Sequence, residues 1–196
     1  LLIEKLRKKQ QKNLLMSLFI SRGVPMLLMG DEIGRSQGGN NNSWCQNNSL
    51  GWMNWDKSQQ DLEILDYVKY LIKIRKQLIG IINPLFLPNT KNIENIPNYF
   101  WHGTNLESPD WSSWSHTIAF SINKDSTNPL LWAGLNAYSN SIDFCIPKSK
   151  GKWFKVIDTN MSEIFEPYAI SDKVIKIESR SSILIISEEV LEQNYN

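Results

Sequence analysis

Cysteine and histidine are scarce in this sequence, and their scarcity excludes several kinds of site. Of the 196 residues only two are cysteine and two are histidine. Cys45 and Cys145 form no disulfide framework and lack the close spacing of zinc ligands, so we interpret both as free thiols of a reducing compartment. We therefore expect no metal site and no cofactor.

Long apolar runs and an excess of either charge are also absent. The longest uninterrupted apolar stretches, such as 26–29 and 130–133, are far shorter than the roughly 20 residues that cross a bilayer. Lysine and arginine number 21 against 20 aspartate and glutamate, so no strong field attracts the chain to DNA or to an anionic membrane. With 41% hydrophobic residues, the sequence predicts a globular chain whose partners include neither nucleic acid nor a membrane.

Tryptophan and asparagine, by contrast, are abundant. The chain contains eight tryptophans, and its asparagines include a run at residues 40–42. Aromatic faces and amide groups suit the binding of sugars, but they are equally typical of cores and turns. Composition alone leaves both interpretations open.

The first third of the chain has the pattern of an α/β protein. Apolar residues near helical spacing predict a helix over 1–20, and because the chain starts at Leu1 rather than Met we expect it to begin within a longer protein. Residues 24–30 are apolar on both faces, which predicts a buried parallel strand. A polar loop over 34–56 follows, and then a helix over 61–77.

The apolar pattern changes from about residue 98 onward to one typical of antiparallel strands. Strands are predicted over the segments 117–122, 130–135, 141–146, 174–177 and 183–186. Their spacing predicts a β-sandwich, with the domain boundary in the Pro- and Asn-rich stretch 84–98. Three tryptophans near its start are interpreted as core between the domains rather than as a surface sugar site: Trp101, Trp111 and Trp114.

Two adjacent motifs in the first third resemble one family of enzymes. They are GVPMLLMGDEIGR at residues 23–35 and GNNNSWCQ at residues 39–46, followed by WMNWD at residues 52–56. Together they resemble the isoamylase-type glycogen debranching enzymes, family-13 glycoside hydrolases of the α-amylase clan. Residues 130–138, with Asn136, resemble the C-terminal β domain of the same enzymes.

The resemblance implies a fold of the α+β class. The strand at 24–30 would be the eighth of a (β/α)8 barrel, so that residues 1–85 form the last quarter of a catalytic barrel. Residues 86–97 would then be a linker, residues 98–190 a C-terminal antiparallel β-sandwich, and residues 191–196 a tail.

The resemblance also implies an activity and a partner. The activity is hydrolysis of α-1,6 branch linkages in glycogen or starch by a retaining mechanism, which needs a carboxylate nucleophile and a carboxylic acid about 5 Å apart. The family's catalytic carboxylates lie on earlier barrel strands, so we expect no catalytic residue in this chain. The implied partner is an α-glucan, namely glycogen, a limit dextrin or a maltooligosaccharide, and the implied location is the cytoplasm.

Six candidate substrate-binding residues follow the predicted strand: Asp31, Glu32, Arg35, Asn40, Asn41 and Trp44. Neighbours on a strand point to opposite faces, so Asp31 and Glu32 cannot flank one bond as acid and nucleophile. We favour their fixing the loop through Arg35 over substrate contact, and turn formation over sugar binding for the asparagines. For Trp44, stacking on glucose and a structural role are equally favoured, whereas Trp52 and Trp55 are expected to pin the loop.

Three hypotheses for the whole chain remain. The favoured one is the C-terminal part of a debranching hydrolase, inactive by itself, whose long loop borders the active cleft. The alternatives are a non-catalytic glucan-binding or protein-interaction module, and a structural β domain with barrel remnants. Because one barrel strand and two helices cannot bury their own apolar faces, we expect self-association through residues 1–80 or packing of the helices across the chain's own β domain.

Overall fold

Two long helices and two antiparallel sheets make up most of the regular structure. The computed structural model describes residues 2–56, 62–82, 98–125, 127–164 and 166–192. Its helices are α1 Leu2–Ile20, α2 Leu62–Ile82 and α3 Glu188–Glu192, with a 3-10 turn at Asp31–Ile33. Its strands are β1 Asn98–His102, β2 Thr117–Asp125, β3 Asn128–Asn136, β4 Ile142–Cys145, β5 Trp153–Asp158, β6 Tyr168–Ile170, β7 Val174–Ile177 and β8 Ser181–Ser187.

The larger sheet has six strands in the order β1-β2-β3-β8-β5-β6, and β4 pairs with β7 in a separate two-stranded sheet. Alternate side chains of the inner strand β3 pack on opposite faces of the larger sheet. Leu131 and Ala133 pack toward the helices, whereas Trp132 packs against Phe144 of β4, with ring centroids 6.2 Å apart. The expected mixture of helices and antiparallel sheets is confirmed.

The two long helices and the larger sheet share one hydrophobic core. Met16 of α1, Leu71 of α2 and Leu184 of β8 belong to the same buried cluster, and none is more than 1% exposed. Of the two outcomes expected for the apolar faces of the helices, the structure therefore shows packing across the chain's own β domain. Self-association stays a prediction.

Both long helices form close to where the sequence predicts them. The first matches its predicted range, whereas α2 continues beyond the expected end at Gln77 to Ile82. It runs through Gly80, although glycine within a helix costs about 1 kcal/mol relative to alanine. The burial of apolar side chains outweighs this cost, because Leu78 and Ile82 in the last turns of α2 are 1% and 0% exposed.

The prediction of a buried strand at residues 24–30 is wrong for the described part of the chain. None of the strands described above pairs with this segment, and Val24, Met26 and Leu28 are 82%, 87% and 64% exposed. A parallel strand needs neighbours that accept its backbone hydrogen bonds and cover its side chains. Within the described residues no strand pairs with it, and only Leu27 packs against the core, so most of its apolar side chains stay exposed.

The interpretation of three tryptophans as core is also wrong within this structure. Trp101, Trp111 and Trp114 are 47%, 65% and 72% exposed. The first lies on the edge strand β1, and the other two lie in the loop 103–116 that joins β1 to β2. The core against the helices is filled by aliphatic side chains of β2, β3 and β8 instead.

Some expectations fall on residues that the structure does not describe. The expected linker at 86–97 lies outside the described residues, and so does the end of the expected tail, at 193–196. Among the helices of the described ranges, none has an apolar stretch of the length that a membrane crossing requires.

Candidate functional site

A tight turn follows the segment 24–29 and begins the candidate site. Gly30 has a φ of 97°, a left-handed backbone conformation, and a Cβ atom there would lie 2.6 Å from the Cβ of Arg35. The backbone N–H of Arg35 donates to the carbonyl oxygen of Gly30 at 2.8 Å. Glycine fits this position without strain or collision, so the motif itself determines the turn that carries residues 31–33.

The two carboxylates of this turn have different surroundings. Glu32 Oε2 accepts a hydrogen bond of 2.8 Å from the N–H of Gly30, so its carboxylate closes the turn from within. Asp31 is exposed and lines a cavity of about 230 Å³ together with Leu15 and Leu27. Because both carboxylates belong to one 3-10 turn, they cannot take opposite sides of a scissile bond as acid and nucleophile.

Arg35 connects the beginning of the long loop 34–56 to its far end. Its Nη1 donates to the carbonyl oxygen of Gly51 at 3.0 Å. The stem of the same side chain lies against Gly30, where it occupies the space that a Cβ atom would need. Arg35 therefore holds the turn and the loop together, and the guanidinium is engaged within the protein.

Asparagine side chains build the turns of this loop. Asn40 donates from Nδ2 to Oε1 of Gln46 at 3.1 Å, and its Oδ1 accepts from the N–H of Asn42 at 2.9 Å. The side chain of Asn48 accepts in the same way from the N–H of Leu50. Such bonds from an asparagine to the backbone two residues on are typical of Asx turns. Asn41 lies between these contacts and is exposed.

Three tryptophans lie on the outside of the loop. Trp44, Trp52 and Trp55 are 91%, 58% and 75% exposed. The indole N–H of Trp52 donates to Oδ1 of Asn47 at 2.9 Å, which ties this ring to the loop. Trp44 is the most exposed of the three, and an open aromatic face is what stacking on a pyranose requires.

Arg75 of α2 positions this region, a role that was not expected from the sequence. Its guanidinium donates to the carbonyl oxygens of Phe19, Ser21 and Gly23 at 2.6, 2.5 and 2.5 Å. These are carbonyl groups at and after the C-terminus of α1, where intrahelical partners are missing. Arg75 is only 7% exposed, and burial lowers its pKa. A lone arginine on the apolar face of a helix is the signal that could have revealed it.

Neither metal-ligand clusters nor disulfides contribute to this site. In the part of the chain that the structure describes, no group of three or more His, Cys, Asp and Glu side chains is placed to hold a metal ion. Cys45 and Cys145 are free thiols, as interpreted from the sequence. The described site therefore offers hydrogen-bonding amides, carboxylates and an aromatic face.

The fold is shared with solved pullulanase structures. A pullulanase from Bacillus acidopullulyticus superposes with a TM-score of 0.66 at 22% identity, covering 92% of this chain and 20% of the pullulanase. The type I pullulanase of Bacillus subtilis, solved in complex with maltose, gives 0.66 at 20% identity, covering 93% of this chain and 24% of that protein. The chain thus has the fold of the C-terminal region of pullulanases.

Sequence comparison indicates which proteins of this fold the chain is related to. Residues 100–195 match the family model described as "Isoamylase 1-3, C-terminal". "Isoamylase 1, chloroplastic" from Oryza sativa subsp. japonica is 33% identical over 160 residues, which is 80% of this chain and 19% of the relative. A "Glycogen debranching enzyme" from Pectobacterium atrosepticum is 37% identical over 119 residues, or 59% of this chain and 17% of the relative. The chain is homologous to the C-terminal region of isoamylases and glycogen debranching enzymes, and it spans less than a fifth of the length of these two relatives. The resemblance expected from the motifs is confirmed.

Proposed function

We propose that this chain is the C-terminal part of a hydrolase that cleaves α-1,6 branch linkages of glycogen or a related α-glucan by a retaining mechanism. The observation that carries the proposal is the 33% identity to "Isoamylase 1, chloroplastic", which extends over 80% of this chain. The nucleophile and the acid would lie elsewhere in the protein. The chain itself would form part of the wall of the cleft and pack against the elements that carry it.

The helices α1 and α2, with the segment 24–29, would complete a (β/α)8 barrel in that protein. Three exposed apolar side chains of the segment support this part of the proposal, because a barrel strand is covered on both faces by neighbours. The turn at Gly30 would then carry the candidate residues at the C-terminal end of a strand, where active sites of such barrels lie.

The loop 34–56 would border the glucan cleft. In this arrangement Trp44 stacks on a glucose ring, Asp31 accepts hydrogen bonds from hydroxyl groups of the glucan, and Asn41 both donates and accepts them. The remaining three candidates shape the loop through the contacts described above: Glu32, Arg35 and Asn40.

The test uses the product of the native gene, assayed for release of linear chains from amylopectin and from glycogen limit dextrin. We expect debranching of both substrates and no release from unbranched amylose. Trp44→Ala should raise KM roughly fivefold to tenfold, since one stacking face is lost, while Ile72→Ala, which removes an exposed apolar side chain of α2 outside the loop, should change it little. Cleavage of amylose with branch points left intact would contradict the proposal.

A second candidate function is a non-catalytic glucan-binding or protein-interaction module. The shared core of helices and sheet favours it, because the chain has a buried interior of its own. It predicts binding of maltooligosaccharides by the chain alone, without turnover. The uncovered segment 24–29 would be its protein-interaction surface, including contact with a second copy.

The cytoplasm is the proposed location. Two free thiols support a reducing compartment. The plant relatives are chloroplastic by name, so fractionation of the source cells with organelle markers is the measurement that decides between the two.

A further inference from the structure

Three exposed tryptophans lie on the edge strand β1 or in the loop 103–116 that follows it: Trp101, Trp111 and Trp114. The ring of Trp111 meets that of Trp101 edge-on, with centroids 5.6 Å apart, and Trp101 packs in turn on Phe120 at 5.7 Å. Apolar surface left in water is unfavourable, and clustered exposed aromatic rings mark interaction surfaces on globular proteins.

A buried histidine holds the loop 103–116 that displays two of these rings. His102 is 2% exposed; its Nδ1 accepts from the N–H of Glu107 at 2.9 Å, and its Nε2 lies 3.1 Å from Oγ of Ser121. Because Oγ of Ser121 donates its proton to Oδ1 of Asn123, the proton of the neutral imidazole belongs on Nε2. Every polar atom of the imidazole is therefore satisfied, and the loop is fixed at its base.

Backbone bonds to neighbouring strands anchor the same loop at both ends. The carbonyl oxygens of Thr104 and His116 accept hydrogen bonds of 2.8 Å from Cys145 and Ala137. A Cβ atom at Gly103 would collide with the carbonyl oxygen of Ser108, so the first turn of the loop requires glycine. Since the loop is already ordered, a ligand that binds it loses little free energy in ordering the protein.

The polar groups of the loop indicate what kind of ligand it suits. Residues 103–116 contain the carboxylates Glu107 and Asp110 and no lysine or arginine, which disfavours nucleic acid and anionic membranes. Leu106 is the single aliphatic residue of the loop apart from glycine and proline, so the apolar surface of the loop is mainly aromatic and suits stacking on a sugar ring. Hydrogen bonds from Ser112 lower the pKa of Asp110, so this exposed side chain accepts hydrogen bonds as a carboxylate at neutral pH.

We propose that Trp101 and the loop 103–116 form a glucan-contact surface on the β domain. Trp111 and Trp114 stack on glucose rings, and Asp110 accepts hydrogen bonds from hydroxyl groups. The choice of an α-glucan rests on the proposed function, whereas the aromatic and acceptor chemistry of the surface rests on the contacts above. The surface would retain a long or branched glucan while another part of the protein acts on it.

The test measures binding of maltoheptaose to the full chain by calorimetry, with the indole N–H signals followed by NMR. The double variant Trp111→Ala/Trp114→Ala should bind about tenfold more weakly, and the double tyrosine variant should recover part of the affinity. Ile72→Ala is the control, because it removes an exposed apolar side chain of α2 outside this surface and outside the loop 34–56, and it should leave affinity unchanged. Circular dichroism and thermal melts report whether each variant folds.

Two results would overturn the inference: unchanged affinity in the folded double variant, or equal binding of the β-linked cellohexaose. The debranching assay separates this inference from the proposed function. Debranching activity together with unaltered binding by the double variant means that only this inference fails. Binding that depends on Trp111 and Trp114 in a gene product without debranching activity means that only the proposed hydrolase fails.

Discussion

At the scale of single residues, Arg75 joins α2 to the end of α1 and so sets where the candidate site begins. Arg75→Met keeps most of the apolar stem but leaves three carbonyl groups without their charged donor. We expect the free energy of unfolding to fall by about 2–3 kcal/mol, measured by urea denaturation. The exposed Lys76→Met on the same helix is the control and should change it by less than about 0.5 kcal/mol. Equal effects of the two substitutions would contradict the role of Arg75.

The protonation of His102, which holds the loop between β1 and β2, makes the stability of the folded chain depend on pH. Burial lowers the pKa of His102, while the Glu107 carboxylate acts in the opposite direction. The unfolded chain therefore takes up this proton at higher pH than the folded chain, and stability falls as the pH falls below about 6.5, the ordinary histidine value. Melting temperatures between pH 7.5 and 5.5 should drop further for the native chain than for His102→Asn, whose amide oxygen can accept from the Glu107 N–H but does not titrate. Parallel curves would show that another group carries the dependence.

At the scale of elements, alanine substitutions at Gly30 and Gly39 distinguish the cost of backbone strain from the cost of a steric collision. Gly30→Ala adds both a strained φ of 97° and a contact of 2.6 Å with Arg35. Gly39→Ala adds only the strained φ of 86°, since nothing lies within 4 Å of its Cβ position. We expect about 1 kcal/mol of destabilisation for Gly39→Ala and about 2–3 kcal/mol for Gly30→Ala by urea denaturation. A larger loss at Gly39 than at Gly30 would contradict this account.

The sequence predicts those helices and strands in which the apolar positions along the sequence are also the positions buried in the fold. The apolar runs of β3 and β8 reveal these strands, because every second side chain packs on the helices or on the smaller sheet. Strand β5 escaped detection because Lys155 and Asp158 interrupt its apolar pattern, and only the fold shows that they pair at 3.1 Å with side chains 13% and 14% exposed. The reverse holds for residues 24–30, where the local pattern is that of a strand but no pairing partner lies within the described residues.

The same distinction applies to the candidate site. Turn formation by asparagines was predictable, because an Asx turn joins a side chain to a backbone group two residues on. An arginine on the apolar face of α2 indicates a buried cation, but its acceptors were not predictable, because Phe19 lies 56 residues away in sequence. The exposure of Trp111 and Trp114 was not predictable either, because tryptophan occurs both in cores and on surfaces.

At the scale of the whole molecule, the helices are tied to the β domain by polar as well as apolar contacts. Lys12 of α1 is only 4% exposed, yet its ammonium group lies 2.7 Å from Oε1 of Glu63 on α2. The same group donates to the carbonyl oxygens of Met161 and Ser162, each at 2.9 Å, in the segment between β5 and β6. One cation therefore joins three parts of the chain, so helices and sheet should lose their structure together.

Because the helices and the sheet share one core, we can predict the hydrogen-exchange pattern of the isolated chain. Amides on the buried faces of α1 and α2 should be protected to a similar degree as those of β3 and β8, because all four elements contribute to one core. Amides of the segment 24–29 should exchange fast, since most of its apolar side chains are exposed and no described strand pairs with it. If the native gene product contains the rest of a barrel, the same amides should become protected there, while the protection of β3 and β8 stays unchanged. Helices that exchange within seconds beside a protected sheet would show two independent units, and the packing of α1 and α2 on the β domain would then contribute little to stability.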